Sequence, residues 1–200
     1  MKNLSYKTGV TLTELIVSVM IVGVMMLGIV AIEFAMRRSH RTTSDDAELS
    51  MRMAAAMTHI SNNVVYATGN RGDLGIEPMD RDSDGAGDRL WIRKAGADPT
   101  SYGDDQWVVY NHDIEGANRL SFCPVGAPPL SDPYCTDPSQ EYTIIMANSV
   151  DFRFQPNETT QEFFVQVSLS SRYDITQPVD PLKNREMTST TRIIPLQHTY

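Results

Sequence analysis

The sequence predicts an α+β protein: a long N-terminal helix, membrane-spanning over its first half, packs by its second half on an antiparallel β-sheet domain. Three observations predict it. The run from Leu15 to Ile32 carries no charge, an apolar stripe then recurs at spacings of three or four as far as Val64, and beyond Asn70 the chain turns to short alternating segments broken by Gly, Pro and Asp. The 200 residues leave one domain of ordinary size beyond the apolar N-terminus, long enough to bury a core. A formal net charge of -8 argues against nucleic acid as a partner, because phosphate binding needs clustered Lys and Arg to release counterions.

The uncharged run reaches Met36 if Glu33 sits at the interface, and as a helix it crosses a hydrocarbon core of about 30 Å. A secretory signal peptide has a shorter apolar region that ends at a small-residue cleavage site. Ala31 and Ala35 in AIEFAMRRSHR offer such residues, but the run is too long for that form, so the segment reads as an anchor. Lys2 and Lys7 flank one end and Arg37, Arg38 and Arg41 the other, so charge counting sets no orientation. The two cysteines, Cys123 and Cys135, and an acidic turn at Asp80 to Asp88 place the C-terminal domain outside the cytoplasm.

Further on, Leu49, Met53, Met57, Ile60 and Val64 form the stripe, widened by Met51 and Ala56, while Asp45, Asp46, Glu48 and Arg52 lie mostly off it. No proline interrupts one continuous helix from about Thr11 to about Asn63. Strands are expected at Leu90 to Arg93, Gln106 to Tyr110, Arg119 to Phe122, Tyr142 to Met146 and Val150 to Phe154. Another is expected at Phe163 to Leu169, where Phe163, Val165, Val167 and Leu169 alternate with mostly polar residues, and Arg192 to Leu196 closes the sheet. Such alternation implies one sheet face on the helix and one wetter face.

Glu14 stands at the head of the apolar run, where a carboxylate costs roughly 2.5 kcal/mol upward, so it needs a partner or a function. The bland alternative is a side chain reaching toward headgroup water. The stretch KTGVTLTELIV, behind a hydrophilic leader with Lys2 and Lys7, resembles the type IV prepilin signature of type IV pilins and type II secretion pseudopilins. The resemblance implies a pilin-like fold laid out as a leader over 1–9, a transmembrane and assembly helix over 10–36, an amphipathic continuation over 37–66 and a strand-rich extracytoplasmic domain over 67–200. It also implies that a membrane prepilin peptidase cuts between Gly9 and Val10 and methylates the new amino terminus, and that Glu14 pairs with a terminal amine during filament assembly. The family usually has Phe where Val10 stands.

The segments WVVYNHDIEGANRLSFC, EYTIIMANSVDFRFQPN, EFFVQVSLSSRYD and TSTTRIIPLQ are similar in order to the J-type minor pseudopilins of type II secretion and the W-type minor pilins of type IV pili. This second resemblance implies a structural subunit that primes or caps assembly of a pilus or pseudopilus. Its implied partners are the peptidase, other minor and major pilins or pseudopilins, and the inner-membrane assembly platform. The implied location is the bacterial inner membrane, crossed once with the N-terminus cytoplasmic and the domain periplasmic, and afterwards the filament.

In MDRDSDGAGDRLW, Asp80, Asp82, Asp84 and Asp88 take the first, third, fifth and ninth places of a calcium loop, with Gly85 at the turn and the Ala86 carbonyl at the seventh place. Trp91 stands where an EF-hand has its bidentate Glu, so the closing ligand comes from elsewhere, with Asp73 and Glu77 as candidates. The alternative is a solvated acidic turn held by Asx-type bonds. Bound Ca²⁺ would brace a surface loop between the helix and the first strand.

Cys123 and Cys135 enclose the proline-rich CPVGAPPLSDPYC, and a bridge is expected in an oxidising compartment. Half of a zinc site lacks companions, since His112 and His198 have no metal-type spacing. Catalytic motifs such as G-x-S-x-G or H-E-x-x-H do not occur. Three functions remain open: an assembly subunit, a calcium-dependent tip adhesin or substrate-binding subunit of the same filament, and an anchored enzyme with an unrecognised site. The first is the reading adopted, with no enzyme activity.

Overall fold

The computed structural model describes residues 10–69, 75–80, 87–96, 103–113, 118–129, 133–156, 163–181 and 184–195. It shows one helix, α1 (Leu12–Val65), followed by eight strands: β1 (Ile76–Met79), β2 (Arg89–Lys94), β3 (Gln106–Asp113), β4 (Arg119–Gly126), β5 (Tyr142–Met146), β6 (Ser149–Pro156), β7 (Phe163–Arg172) and β8 (Glu186–Ile193). By its internal contacts the chain divides into two compact units, Met1–Ser44 and Asp45–Tyr200.

In the first unit every large apolar side chain of the helix is exposed, from Leu12 to Met36. The helix is long and apolar enough there to cross a membrane. In the second unit the helix buries Leu49, Met53, Ala56, Met57, Ile60 and Val64. Met51, which was expected to widen the stripe, is 67% exposed instead. Two residues from both Leu49 and Met53, it falls on the opposite side of the helix from the buried stripe.

The strands form two antiparallel sheets rather than one: β1-β2-β3-β4-β5 and β6-β7-β8, each in sequence order. The passage between them takes only Ala147 and Asn148. The Ala147 amide donates to Asn118 O at 2.8 Å and that of Asn148 to Ser170 O at 2.8 Å, so each residue is tied to a neighbouring strand or its flank. The core joins the helix stripe to Leu90 and Ile92 of β2, Val108 and Tyr110 of β3, Leu120 and Phe122 of β4, and Val165, Val167 and Leu169 of β7. The period-two pattern read in β7 is thus the pattern of its burial.

Two further differences from the sequence reading have physical causes. β1 was not expected because Pro78 interrupts it, yet β1 is the first strand of its sheet, where a missing N–H is tolerated. The final strand runs Glu186–Ile193 rather than from Arg192 to Leu196; its centre, Thr188 to Thr191, is all Thr and Ser and offers no apolar alternation.

Candidate functional site

The helix begins on a reciprocal pair of side chains. Thr11 is the residue before the first helical position. Its amide donates to Glu14 Oε2 at 2.9 Å and its hydroxyl donates to the same oxygen at 3.0 Å. In return the Glu14 amide donates to Thr11 Oγ1 at 3.3 Å. This is a capping box, in which a Thr and a Glu three residues on satisfy amides that the first turn leaves without partners. Both contacts to the carboxylate fall on Oε2. Val10 is 74% exposed beside them, and Gly9 lies outside the described residues. The sequence reading found Glu14 and missed its partner, although T-x-x-E was the signal for it. At the far end of the apolar stretch Glu33 pairs with Arg37 one turn later, both exposed.

The acidic segment lies elsewhere than expected. Met79 of β1 pairs with Arg89 of β2, so residues 80–88 connect two adjacent strands of a hairpin instead of joining the helix to the first strand. Asp80 and Asp88 flank the mouth of that hairpin. The Asp88 amide donates to Met79 O at 3.0 Å and the Asp88 carbonyl accepts from the His112 amide at 2.8 Å, so the ladder fixes this end and buries it. Asp82, Asp84 and Ala86 lie outside the described residues, as does Asp73, while Glu77 is exposed on β1. Among the described residues no three His, Cys, Asp or Glu side chains converge to hold a metal ion. Gly87 brings the connection against β6: its amide donates to Asp151 Oδ1 at 3.0 Å and its carbonyl accepts from the Phe152 amide at 2.8 Å. A Cβ at Gly87 would lie 2.1 Å from Phe152 O, so only glycine permits this approach.

Cys123 and Cys135 are joined by a disulfide, with Cα atoms 5.8 Å apart. Tyr134 and Cys135 lie on the face of the five-stranded sheet away from the helix, and bonds from the Ala127 amide to Tyr134 O at 2.8 Å and from the Thr136 amide to Val125 O at 3.1 Å tie together the two arms of the bridged loop. Under it Trp91, Val109 and the two cysteines make a second small core, with Met79, Trp107 and Tyr134 packed against it. The Arg89 guanidinium stands 4.3 Å from the Tyr134 ring centroid and 5.2 Å from that of Trp91, and Arg93 stands 5.5 Å from that of Trp107. These cation–π contacts let β2 bury two arginines beside aromatic rings. The face expected to be wet is therefore largely covered. Burial, and then the bond it donates to Glu141 Oε1 at 2.7 Å, push the Tyr134 phenol up to about 12.

On the helix side a polar knot fastens α1 to the same sheet. Tyr110 Oη lies 2.8 Å from His59 Nδ1 and accepts from Asn63 Nδ2 at 2.7 Å, while Tyr142 Oη lies 3.3 Å from His59 Nε2. Lys94 Nζ donates to Asn63 O at 2.9 Å. Burial, and then the Lys94 charge, hold the imidazole below its ordinary value. Comparison with family models, with curated proteins and with solved structures gave no match to this chain. The functional reading therefore rests on the residues themselves and on the shape they make: a long apolar N-terminal helix and an antiparallel strand-rich domain.

Proposed function

We propose that the protein is a minor pilin or pseudopilin, a structural subunit that primes or caps assembly of a type IV pilus or a type II secretion pseudopilus. The observation that carries this reading is the capping box at Thr11 and Glu14, set at the head of an exposed apolar helix and one residue beyond the Gly9–Val10 bond of the prepilin-like signature. Prepilin peptidase cleavage there would leave Val10 as an amino terminus next to a carboxylate already oriented by its own threonine. With Oε2 engaged by Thr11, Glu14 has Oε1 to offer to the terminal ammonium of a neighbouring subunit. Such a pair removes the cost of carrying a charge into an apolar filament core. In this reading the chain crosses the bacterial inner membrane once, with the domain periplasmic, and is a substrate of the peptidase rather than an enzyme. Its partners are the assembly platform and other pilins or pseudopilins.

Calcium belongs to the proposal through Asp80, Asp82, Asp84 and Asp88, with Asp80 and Asp88 on the two sides of the hairpin mouth, where a cation would tie the strand ends together. A chelator is then expected to lower the melting temperature of the domain, and calcium to restore it. The decisive experiment is intact mass analysis of the full chain from cells with and without the peptidase. Loss of Met1 to Gly9 together with gain of a methyl group is expected only where the enzyme is present. An uncut chain in both would overturn the reading.

A further inference from the structure

β8 pairs along its whole length with β7 and, among the described residues, has no strand on its other side. An edge of this kind presents a row of N–H and C=O groups that another strand can join, and proteins usually blunt it with proline, a bulge or inward-pointing charge. β8 has none of these. Its register with β7 runs unbroken from Arg172 opposite Glu186 to Val165 opposite Ile193, and EMTSTTRI contains no proline. Glu186, Thr188, Thr190 and Arg192 are exposed along it, while Met187, Ser189 and Thr191 are half-buried.

The exposed row, Glu-Thr-Thr-Arg, is its own complement when reversed. We propose that β8 pairs with β8 of a second copy of this chain, antiparallel, about a two-fold axis at Ser189. In that register Glu186 of each copy faces Arg192 of the other, and Thr188 faces Thr190 on both sides of the axis. Opposite charges and threonine pairs directly across two strands favour antiparallel pairing. The charges also select the register: a parallel, in-step arrangement sets Glu186 beside Glu186 and Arg192 beside Arg192, and a two-residue slip leaves both without a partner of opposite sign.

Both ends of the row are held before a partner arrives. Glu186 Oε1 accepts from Ser170 Oγ at 2.7 Å and from Asn148 Nδ2 at 2.9 Å, and these bonds hold its carboxyl below the usual range. The Arg192 guanidinium stands 5.1 Å from the Phe164 ring centroid. Little side-chain freedom is then left to lose on association. One strand pair is a small interface, so the dimer depends on concentration, which confinement to a membrane plane would raise. The inference does not rest on the filament reading.

The test uses the full chain in detergent micelles, with mass measured by light scattering after size exclusion. The parent protein is expected to dimerise as its concentration rises. Glu186→Arg and Arg192→Glu each set like charges at both ends, and each alone should weaken the dimer several-fold. Mixed in equal amounts, the two variants restore opposite charges at both ends, and the dimer should return. A parent protein that stays monomeric, or a dimer indifferent to both reversals, overturns the proposal. Because Glu186 also anchors Asn148 and Ser170, a second measurement guards against a folding defect. Thr188→Cys and Thr190→Cys should cross-link under oxidation when the two variants are mixed in membranes, and several-fold less when either is alone. Equal cross-linking in all three samples overturns it as well.

Discussion

Two halves of one helix meet opposite surroundings. In the first, Met20 is 67% and Phe34 71% exposed, whereas in the second the buried stripe from Leu49 to Val64 is nowhere more than 9% exposed. What separates them is distribution: the first half is hydrophobic all round and the second only along a stripe, with Glu48 and Arg52 off it. A stripe is satisfied by a sheet of the same chain. A wholly apolar cylinder needs cover from lipid or other helices, which is why its apolar run and its Glu14 carry the functional reading.

The sharpest way to break this contrast is to cut the same side chain on each side of it. Ile60, with no exposed surface, should cost about 2–5 kcal/mol as Ile60→Ala, read as a lower urea midpoint of the full chain in detergent. Ile21→Ala, at a position 51% exposed, should leave that midpoint where it is. Equal losses would mean that the two halves do not differ as described.

A smaller effect tests the far face of the sheet. Replacing Cys123 and Cys135 together by alanine opens a loop of sequence separation 12, and the chain-entropy estimate for a loop of this length is about 3 kcal/mol, less any native strain released. Part of the loss should appear in the parent protein on adding reductant. An unchanged midpoint would mean that the Trp91 core holds its cover without the bridge.

The smallest effect concerns His59, which lies at the join of helix and sheet among Tyr110, Tyr142, Asn63 and Lys94. Because its folded value lies below the ordinary one of about 6.5, the unfolded chain takes the proton first as pH falls. The contribution of this residue to stability is therefore present above about 6.5 and is lost as pH falls through the folded value. The parent midpoint should drop over that window, and His59→Gln should flatten this part of the profile. A profile the same in both would show that the imidazole does not titrate against the fold.

How much could be read in advance differs by region for physical reasons. The helix and the β7 alternation were legible because period and burial coincide there, at Ile60 and Val64 and at Val165 and Val167. The Tyr142–Met146 strand was read at its observed bounds. β8 was not, since Thr and Ser give no apolar alternation, and β1 was hidden by Pro78. The cover over Trp91 was beyond reach because a loop's path over a sheet depends on long-range packing that no local pattern encodes. At the head of the helix the signal was present: Glu14 was recognised through its chemistry, and Thr11 can be inferred from the spacing T-x-x-E.

The two-residue passage at Ala147 and Asn148 has a mechanical consequence. Ala147 O accepts from His112 Nε2 at 3.0 Å, while the amides of both residues donate to flanking strands or their ends and the Asn148 side chain reaches Glu186. Nothing slack is left in the link. A pull on the C-terminal sheet is passed to the five-stranded one as through a welded joint, so under load the domain should yield by shearing strands apart rather than by swinging open at this seam.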